Sequence, residues 1–321
     1  MSALDTAAQV RAGQRCALDV VEESLAAIES RNADLNAVLL VTADAARAAA
    51  ASIDRRVAAG EPVGPLAGVP LVVKDNMCTR GLPTTCGSRI LNGWRPPYDA
   101  TVVRRLADAG AVIVGKANMD EFAMGSSNEH SHFGPAHNPW DVSRVPGGSS
   151  GGSAALVAAR VVPFATASDT GGSIRQPAAL CGVTGLKATF SRISEAGAYP
   201  LCWSIGHAGP LAATVADLAI AYAIMAGPDP RDPGTLHQPA PQPIALDRGD
   251  LQGVRLGIYA EWLQDAQPAV VASVKAMATK TNCACAAGRA SCIQATSSRA
   301  APAIGNVASA SAMNSATTSA K

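Results

Sequence analysis

The chain has almost no excess charge. Lys plus Arg number 26 against 25 for Asp plus Glu over 321 residues, a net charge of +1. Phosphate backbones are gripped by a basic face, so direct binding of nucleic acid has no electrostatic basis here. No uninterrupted apolar run reaches the ~18 residues of a membrane-spanning helix. The start, Met1-Ser2-Ala3-Leu4-Asp5, shows no basic segment leading into an apolar one, so no secretory signal is expected. Cys16, Cys78, Cys86, Cys181 and Cys202 are scattered, and Cys78 and Cys86 are too far apart for a CxxC site. Reduced thiols in the cytoplasm or an organellar matrix are the reading. No histidine stands in a catalytic motif: His130, His132 and His137 fall in a loop before Trp140 and read as surface or structural groups.

Against these absences stand two glycine-rich loops and one lysine. The first loop is Pro146-Gly147-Gly148-Ser149-Ser150-Gly151-Gly152-Ser153, and the second is Asp169-Thr170-Gly171-Gly172-Ser173-Ile174-Arg175-Gln176-Pro177. Upstream, the apolar run Leu71-Val72-Val73 ends in Lys74, followed by Asp75 and Asn76. Amide cleavage needs a nucleophile, a base, a proton for the departing amine and donors for the developing oxyanion. Ser173 suits the nucleophile, because Gly171 and Gly172 let a substrate carbonyl approach the backbone. The N–H groups of Thr170, Gly171, Gly172 and Ser173 can point into one concavity and form the oxyanion hole. Lys74 is the base: an exposed lysine is protonated at neutral pH, but burial at a strand end lowers its pKa. Ser149 stands between them, accepting from one group while donating to the other. Ser150 and Ser153 are assigned to the loop and to the start of the following helix. Asp169 and Arg175 read as an ion pair that frames the nucleophile loop.

On these residues the chain resembles the amidase signature family, whose members hydrolyse amides with a Ser-Ser-Lys triad. Further motifs are Asn118-Met119-Asp120-Glu121-Phe122-Ala123-Met124-Gly125-Ser126-Ser127-Asn128-Glu129, Asn138-Pro139-Trp140-Asp141, Arg144-Val145-Pro146, and Gln176 after Ser-Ile-Arg. They are similar to the glutaminase-subunit branch of that family, which serves transamidation of Glu-tRNA(Gln) or Asp-tRNA(Asn). The resemblance covers roughly residues 5 to 275. It weakens over Tyr199–His207, where that branch reads closer to Phe-Ala-Ser-Ser-Leu-Asp-Gln. It implies an α/β layered fold, a large mixed β-sheet covered by helices on both faces. It also implies that Ser149 follows a cis peptide and that Met124, Gly125 and Ser126 border the substrate cleft. No metal or cofactor is expected on this chain. ATP and magnesium are expected on a partner subunit of a heterotrimer, which would also hold the tRNA, with glutamine or another small amide as substrate.

The spacing of Leu18, Val21, Leu25 and Ile28 predicts an amphipathic helix over residues 15 to 30. The alanine-rich stretch from Thr42 to Ala59 predicts a second, with Thr42 as N-cap and Gly60 closing it. Leu71–Val73 reads as a buried strand. A helix capped by Asp99 carries Val102, Val103 and Leu106 and ends at Gly110, followed by the strand Ala111–Val114. A small-residue helix over Ser153–Arg160 and a strand over Val161–Thr166 come next. Thr214 and Asp217 form a capping box for a helix ending at Ala226-Gly227. Residues 227 to 250 read as a linker and Val254–Tyr259 as a strand. The alternation of short strands and helices indicates an α/β layered fold. Gly110–Lys116 matches most of a phosphate-binding loop, but Ala117 replaces the Ser/Thr that holds magnesium and the intervening residues are strand formers, which rejects it.

Residues 281 to 321 contain no acidic residue, no aromatic residue and no leucine. Such a stretch cannot bury enough apolar area to offset its ordering entropy. The expected organisation is an amidase signature domain over 1–280, incomplete on its C-terminal side, and a disordered tail over 281–321 from a shifted frame or a misjoined gene. Cys283, Cys285 and Cys292 lack the His or carboxylate companions of a metal site. Three functions are compatible with these residues: the glutaminase component of an amidotransferase, a free-standing amidase on a small amide, and an inactive truncated fragment.

Overall fold

The computed structural model describes residues 2–239 and 260–280, which belong to two separate units. The expected strand over Val254–Tyr259 and the tail over 281–321 lie outside the described residues.

The first unit is organised by one fully buried strand. In β2 (Pro70–Lys74) all five residues are buried. Successive side chains of a strand point to opposite faces, and two apolar cores result. Leu71 and Val73 join one core, while Val72 joins the other. Lys74, in phase with Val72, is fully buried. Beside β2 run β3 (Val112–Ala117) and β4 (Phe164–Ser168), both parallel to it. The sheet has six strands in the order β1-β3-β2-β4-β6-β5. Its outer members are β1 (Val38–Val41), β5 (Thr184–Gly185) and β6 (Ala208–Ala212), all paired antiparallel. The sheet is therefore mixed, and helices cover both faces.

On the Val72 face, α2 (Ala17–Leu35), α3 (Ala43–Ala58), α5 (Gly151–Ala158) and α6 (Arg175–Cys181) bury Val20, Val21, Ile28, Ala50, Leu156 and Ala178 against Val114 and Ala165. On the Leu71 face, α1 (Ala3–Arg11), α4 (Thr101–Asp108) and α7 (Val215–Met225) bury Ala7, Val102, Leu106, Leu218 and Met225 against Val73 and Phe164. The second unit contributes a 3-10 turn, Ala260–Leu263, and α8 (Pro268–Lys280), neither of which the sequence pattern marked.

Several expectations need correction. Asp99 does not cap α4: Ala100 holds that position, and the Asp99 carboxylate accepts from Arg80 N at 2.7 Å. The Thr214–Asp217 box is only half formed. Thr214 Oγ1 accepts from Asp217 N at 3.1 Å, but the Asp217 carboxylate accepts from Ala3 N at 2.8 Å and Leu4 N at 3.1 Å. One residue thus sits at two helix starts, its main chain in α7 and its side chain capping α1. The small-residue helix begins at Gly151 and ends at Ala158, and the strand after it runs two residues beyond Thr166.

The rejected phosphate-loop stretch forms the body of β3, and its Lys116 is fully buried. Lys116 Nζ lies 3.3 Å from Asp75 Oδ1 and donates to Met77 O and Thr84 Oγ1, both at 2.9 Å. This pair pins the turn that follows Lys74. Removing one partner of a buried ion pair leaves an uncompensated charge and typically costs about 3–5 kcal/mol, whereas removing both is often near neutral. Lys116→Met is therefore expected to lower the unfolding free energy in urea by about that amount, and Asp75→Asn/Lys116→Met to recover most of it.

Candidate active site

Lys74 leaves β2 pointing into the layer beneath α5. Its main-chain N–H donates to Thr166 Oγ1 at 2.9 Å, tying the strand end to β4. Its Nζ lies 2.8 Å from Ser149 Oγ, 2.8 Å from Ser150 Oγ and 2.9 Å from Ser168 Oγ. No carboxylate lies within ion-pair distance of this amine among the described residues. Burial pushes its pKa down from 10.5 to about 7, with the charges of Asp120 and Asp169 pulling the other way.

The three hydroxyls are not equivalent. Ser150 Oγ donates to Ser168 O at 3.2 Å and so meets Lys74 as an acceptor. Ser168 Oγ also accepts from Asn76 Nδ2 at 3.2 Å. A neutral amine has two N–H bonds and one lone pair. Ser150, its own proton on Ser168 O, takes one N–H bond, and the lone pair can face Ser149 or Ser168, whose hydroxyl protons have no acceptor among the described residues. The arrangement can draw a proton from Ser149. Ser150, which the sequence pattern left to the loop, thus belongs to the amine's immediate surroundings. Ser153 stays with the helix, its hydroxyl donating to Thr166 O at 2.9 Å.

The peptide between Gly148 and Ser149 is cis, as the resemblance implied. The Asp169–Ser173 loop follows β4 directly, and Ser173 is almost fully buried just before α6. Its Oγ makes no hydrogen bond among the described residues. Asp169 frames the loop as expected: Arg175 Nε and Nη2 each reach its carboxylate at 3.0 Å, and Ile174 N donates at 3.1 Å. Burial raises the Asp169 pKa, but the Arg175 guanidinium and these N–H groups outweigh it and hold the carboxyl below its ordinary value.

One member of the expected oxyanion hole is otherwise engaged. Gly172 N donates to Asp169 Oδ1 at 2.8 Å, turned inward by the backbone's positive φ of 142°. Thr170, Gly171 and Ser173 keep N–H groups with no partner among the described residues. A side chain built at Gly171 would meet no atom within 4 Å, so the loop faces open space there.

Met124 is exposed and Gly125 packs on the Asp120 carboxylate; Ser126 lies beside them in the same exposed turn. The Tyr199–His207 stretch also comes to this region. Tyr199 N donates to Asn76 O at 2.7 Å, and the Tyr199 ring packs on Phe122 at 5.2 Å. The His207 ring nitrogen Nδ1 lies 3.2 Å from Asp169 O, with Nε2 3.2 Å from Lys187 Nζ. His130 and His132 are exposed and His137 binds the Val142 carbonyl. Asn76, Asp120, Ser168 and His207 were not singled out from sequence. Asn76, Asp120 and His207 fall within stretches quoted from the sequence without a role given to them, and Ser168 lies one residue before the Asp-Thr-Gly-Gly-Ser motif. No cluster able to hold a metal ion occurs among the described residues, and no described helix is long and apolar enough to cross a membrane.

Comparison with known proteins agrees with the fold. The Amidase family model matches residues 19–316, continuing past Lys280. A glutamyl-tRNA(Gln) amidotransferase subunit from Acidothermus cellulolyticus is 53% identical over 261 residues, 81% of this chain and 52% of that protein. The chain thus spans about half the length of the curated relatives it matches. Among solved structures, one from a study of a vestigial protein complex and the origins of an s-triazine catabolic enzyme superposes with a TM-score of 0.84. It is 44% identical, covering 89% of this chain and 63% of that one. The peptide amidase of Stenotrophomonas maltophilia gives 0.79 at 35% identity, covering 88% of this chain and 60% of that one. A buried lysine amine among serine hydroxyls on a mixed sheet, and a family match over most of the sequence, lead to one conclusion: this chain belongs to the amidase family.

Proposed function

We propose that the protein hydrolyses amides through Ser173, Ser149 and Lys74, as the glutaminase subunit of a tRNA-dependent amidotransferase. The observation that carries the chemistry is the Lys74 amine, buried without a carboxylate partner and 2.8 Å from Ser149 Oγ. Ser173 Oγ attacks the amide carbon while its proton passes through Ser149 to Lys74. The oxyanion is received by the free N–H groups of Thr170, Gly171 and Ser173; losing one such donor typically costs about 3 kcal/mol of transition-state stabilisation. The proton returns by the same path to the departing nitrogen, and the C–N bond breaks. Water then enters where the amine left, gives its proton to the relay, and releases the acid from the Ser173 ester.

The glutaminase assignment rests on the 53% identity to the amidotransferase protein of Acidothermus cellulolyticus. In this reading the released ammonia serves partner subunits that bind the tRNA and, with ATP and magnesium, activate its esterified glutamate or aspartate. A second reading, a free-standing amidase, is favoured by the Tyr199–His207 stretch. There Trp203 and Ile205 are exposed, and Gly206 leaves room for the Glu195 carboxylate, which a Cβ would meet at 2.7 Å. Ammonia release from glutamine with and without partner subunits, set against hydrolysis of simple aryl and alkyl amides, separates the two.

Ser173→Ala and Lys74→Ala are each expected to reduce amide hydrolysis on the order of 10³-fold or more, with Ser149→Ala similar or slightly milder. Turnover by Ser173→Ala at the unmodified rate would refute the assignment. Lys74 accepts a proton only when neutral and its pKa lies at about 7. Activity is therefore expected on the alkaline side and to fall about tenfold per pH unit as pH drops below that value, seen in kcat/KM profiles. With a net charge of +1, the protein alone is expected to give no tight, selective tRNA complex in gel-shift assays at physiological salt.

A further inference from the structure

Asn76 lies in the turn that follows Lys74 and is only 2% exposed. Among the described residues, both hydrogen bonds of its side chain are made by Nδ2, which donates to Ser168 Oγ and to Tyr199 O, each at 3.2 Å. A carbonyl can only accept, so the contact with Tyr199 O fixes which end of the amide is nitrogen. Oδ1 is buried without a partner among the described residues. The main chain adds a reciprocal contact, Asn76 O accepting from Tyr199 N at 2.7 Å. Two residues on, Cys78 N donates to Gly197 O at 3.0 Å and holds the same segment alongside. Asn76 is thus the point where the segment ending in Tyr199 meets the hydroxyls around Lys74.

The three hydroxyls that hold Lys74 Nζ differ in their second contacts. Ser150 Oγ is anchored to Ser168 O at 3.2 Å, and Ser168 Oγ is anchored by Asn76 Nδ2. Ser149 Oγ makes no second hydrogen bond among the described residues. Two anchored hydroxyls therefore form a seat for the amine, and the third is left to rotate. We propose that Asn76 is a positioning residue for the reaction: its Nδ2 anchors Ser168 in that seat and ties the seat to the Tyr199 segment. The inference rests on the reading of Lys74 as base. Without the anchor, Ser168 can turn away or offer its own proton to the amine in place of Ser149. The absence of charge at position 76 matters equally. Asp75, one residue earlier, lies 3.3 Å from Lys116 and pulls that lysine toward its charged form. A carboxylate at position 76 would stand one hydroxyl away from Lys74 and act on the base in the same way. The other groups whose charge acts on Lys74 are Asp120, Asp169 with its partner Arg175, and the Cys86 thiol, and no hydrogen bond joins any of them to Asn76.

The test is a double-mutant cycle on covalent labelling of Ser173 by a fluorophosphonate, in folded variants of the full chain. Asn76→Ala and Ser168→Ala are each expected to slow labelling about tenfold, the effect of one buried hydrogen bond. Because Asn76 acts through Ser168, the double variant is expected to be no slower than the slower single one. Effects that multiply in the double variant overturn the proposal. Asn76→Asp keeps the size of the side chain and is expected to move the acid limb of labelling up by about one pH unit, since the new anion holds Lys74 charged. An unmoved limb in that variant also overturns it. In the unmodified protein, the side-chain amide resonance of Asn76 should shift with the titration of Lys74, which decides the matter even if no variant folds. An Asn76 amide blind to that titration contradicts the proposal. Failure of Ser173 to label in the unmodified protein counts instead against the triad reading and leaves the amide resonance to decide on Asn76.

Discussion

The structure depends on holding one amine out of water without giving it an acid. Lys74 ends a strand whose every residue is buried and meets three serine hydroxyls rather than a carboxylate. An ion pair at that place would stabilise the ammonium and leave no base. The surrounding design follows from this constraint. Parallel neighbours β3 and β4 seal β2 on both edges, α2 and α5 seal its face, and the nearby acids are each engaged elsewhere. Asp169 is taken by Arg175, Asp75 by Lys116, and Asp120 by main-chain N–H groups.

The two lysines of adjacent parallel strands show how burial and pairing divide labour. Lys116 sits one strand away, equally buried, and is committed to Asp75, Met77 and Thr84. Burial pushes its pKa down as it does that of Lys74, but the Asp75 carboxylate in contact pulls the other way, and Lys116 serves the fold. The same residue type thus does structural or chemical work according to whether an acid is in contact.

Much of the site was legible because it lies in contiguous motifs. Ser149, Ser173, Asp169 and Arg175 occupy two short loops, and Lys74 follows an unbroken apolar run that can only be a buried strand. The helices with strong apolar stripes, α2, α3 and α4, were legible for the same reason. What could not be read depends on partners far apart in sequence. Asp217 caps α1 from more than 200 positions away, a pairing that no local pattern encodes. Strand β1 is only four residues long, and β6 is rich in small residues, so neither shows a clear period. Gly172 looked like an oxyanion donor until its N–H was found on Asp169. Asp120 sat in a quoted motif without a role and Lys116 in the rejected phosphate-loop match, because only the fold reveals that water does not reach them.

The central claim is that Ser173 becomes acylated. The most direct measurement is to quench a reaction with an amide substrate in acid, digest with trypsin and sequence the peptide Val161–Arg175 by tandem mass spectrometry. That peptide contains two serines, Ser168 and Ser173. The account predicts an acyl mass on Ser173 that disappears in Lys74→Ala. An acyl group on Ser168 instead, or turnover with no acylated peptide at all, would contradict it.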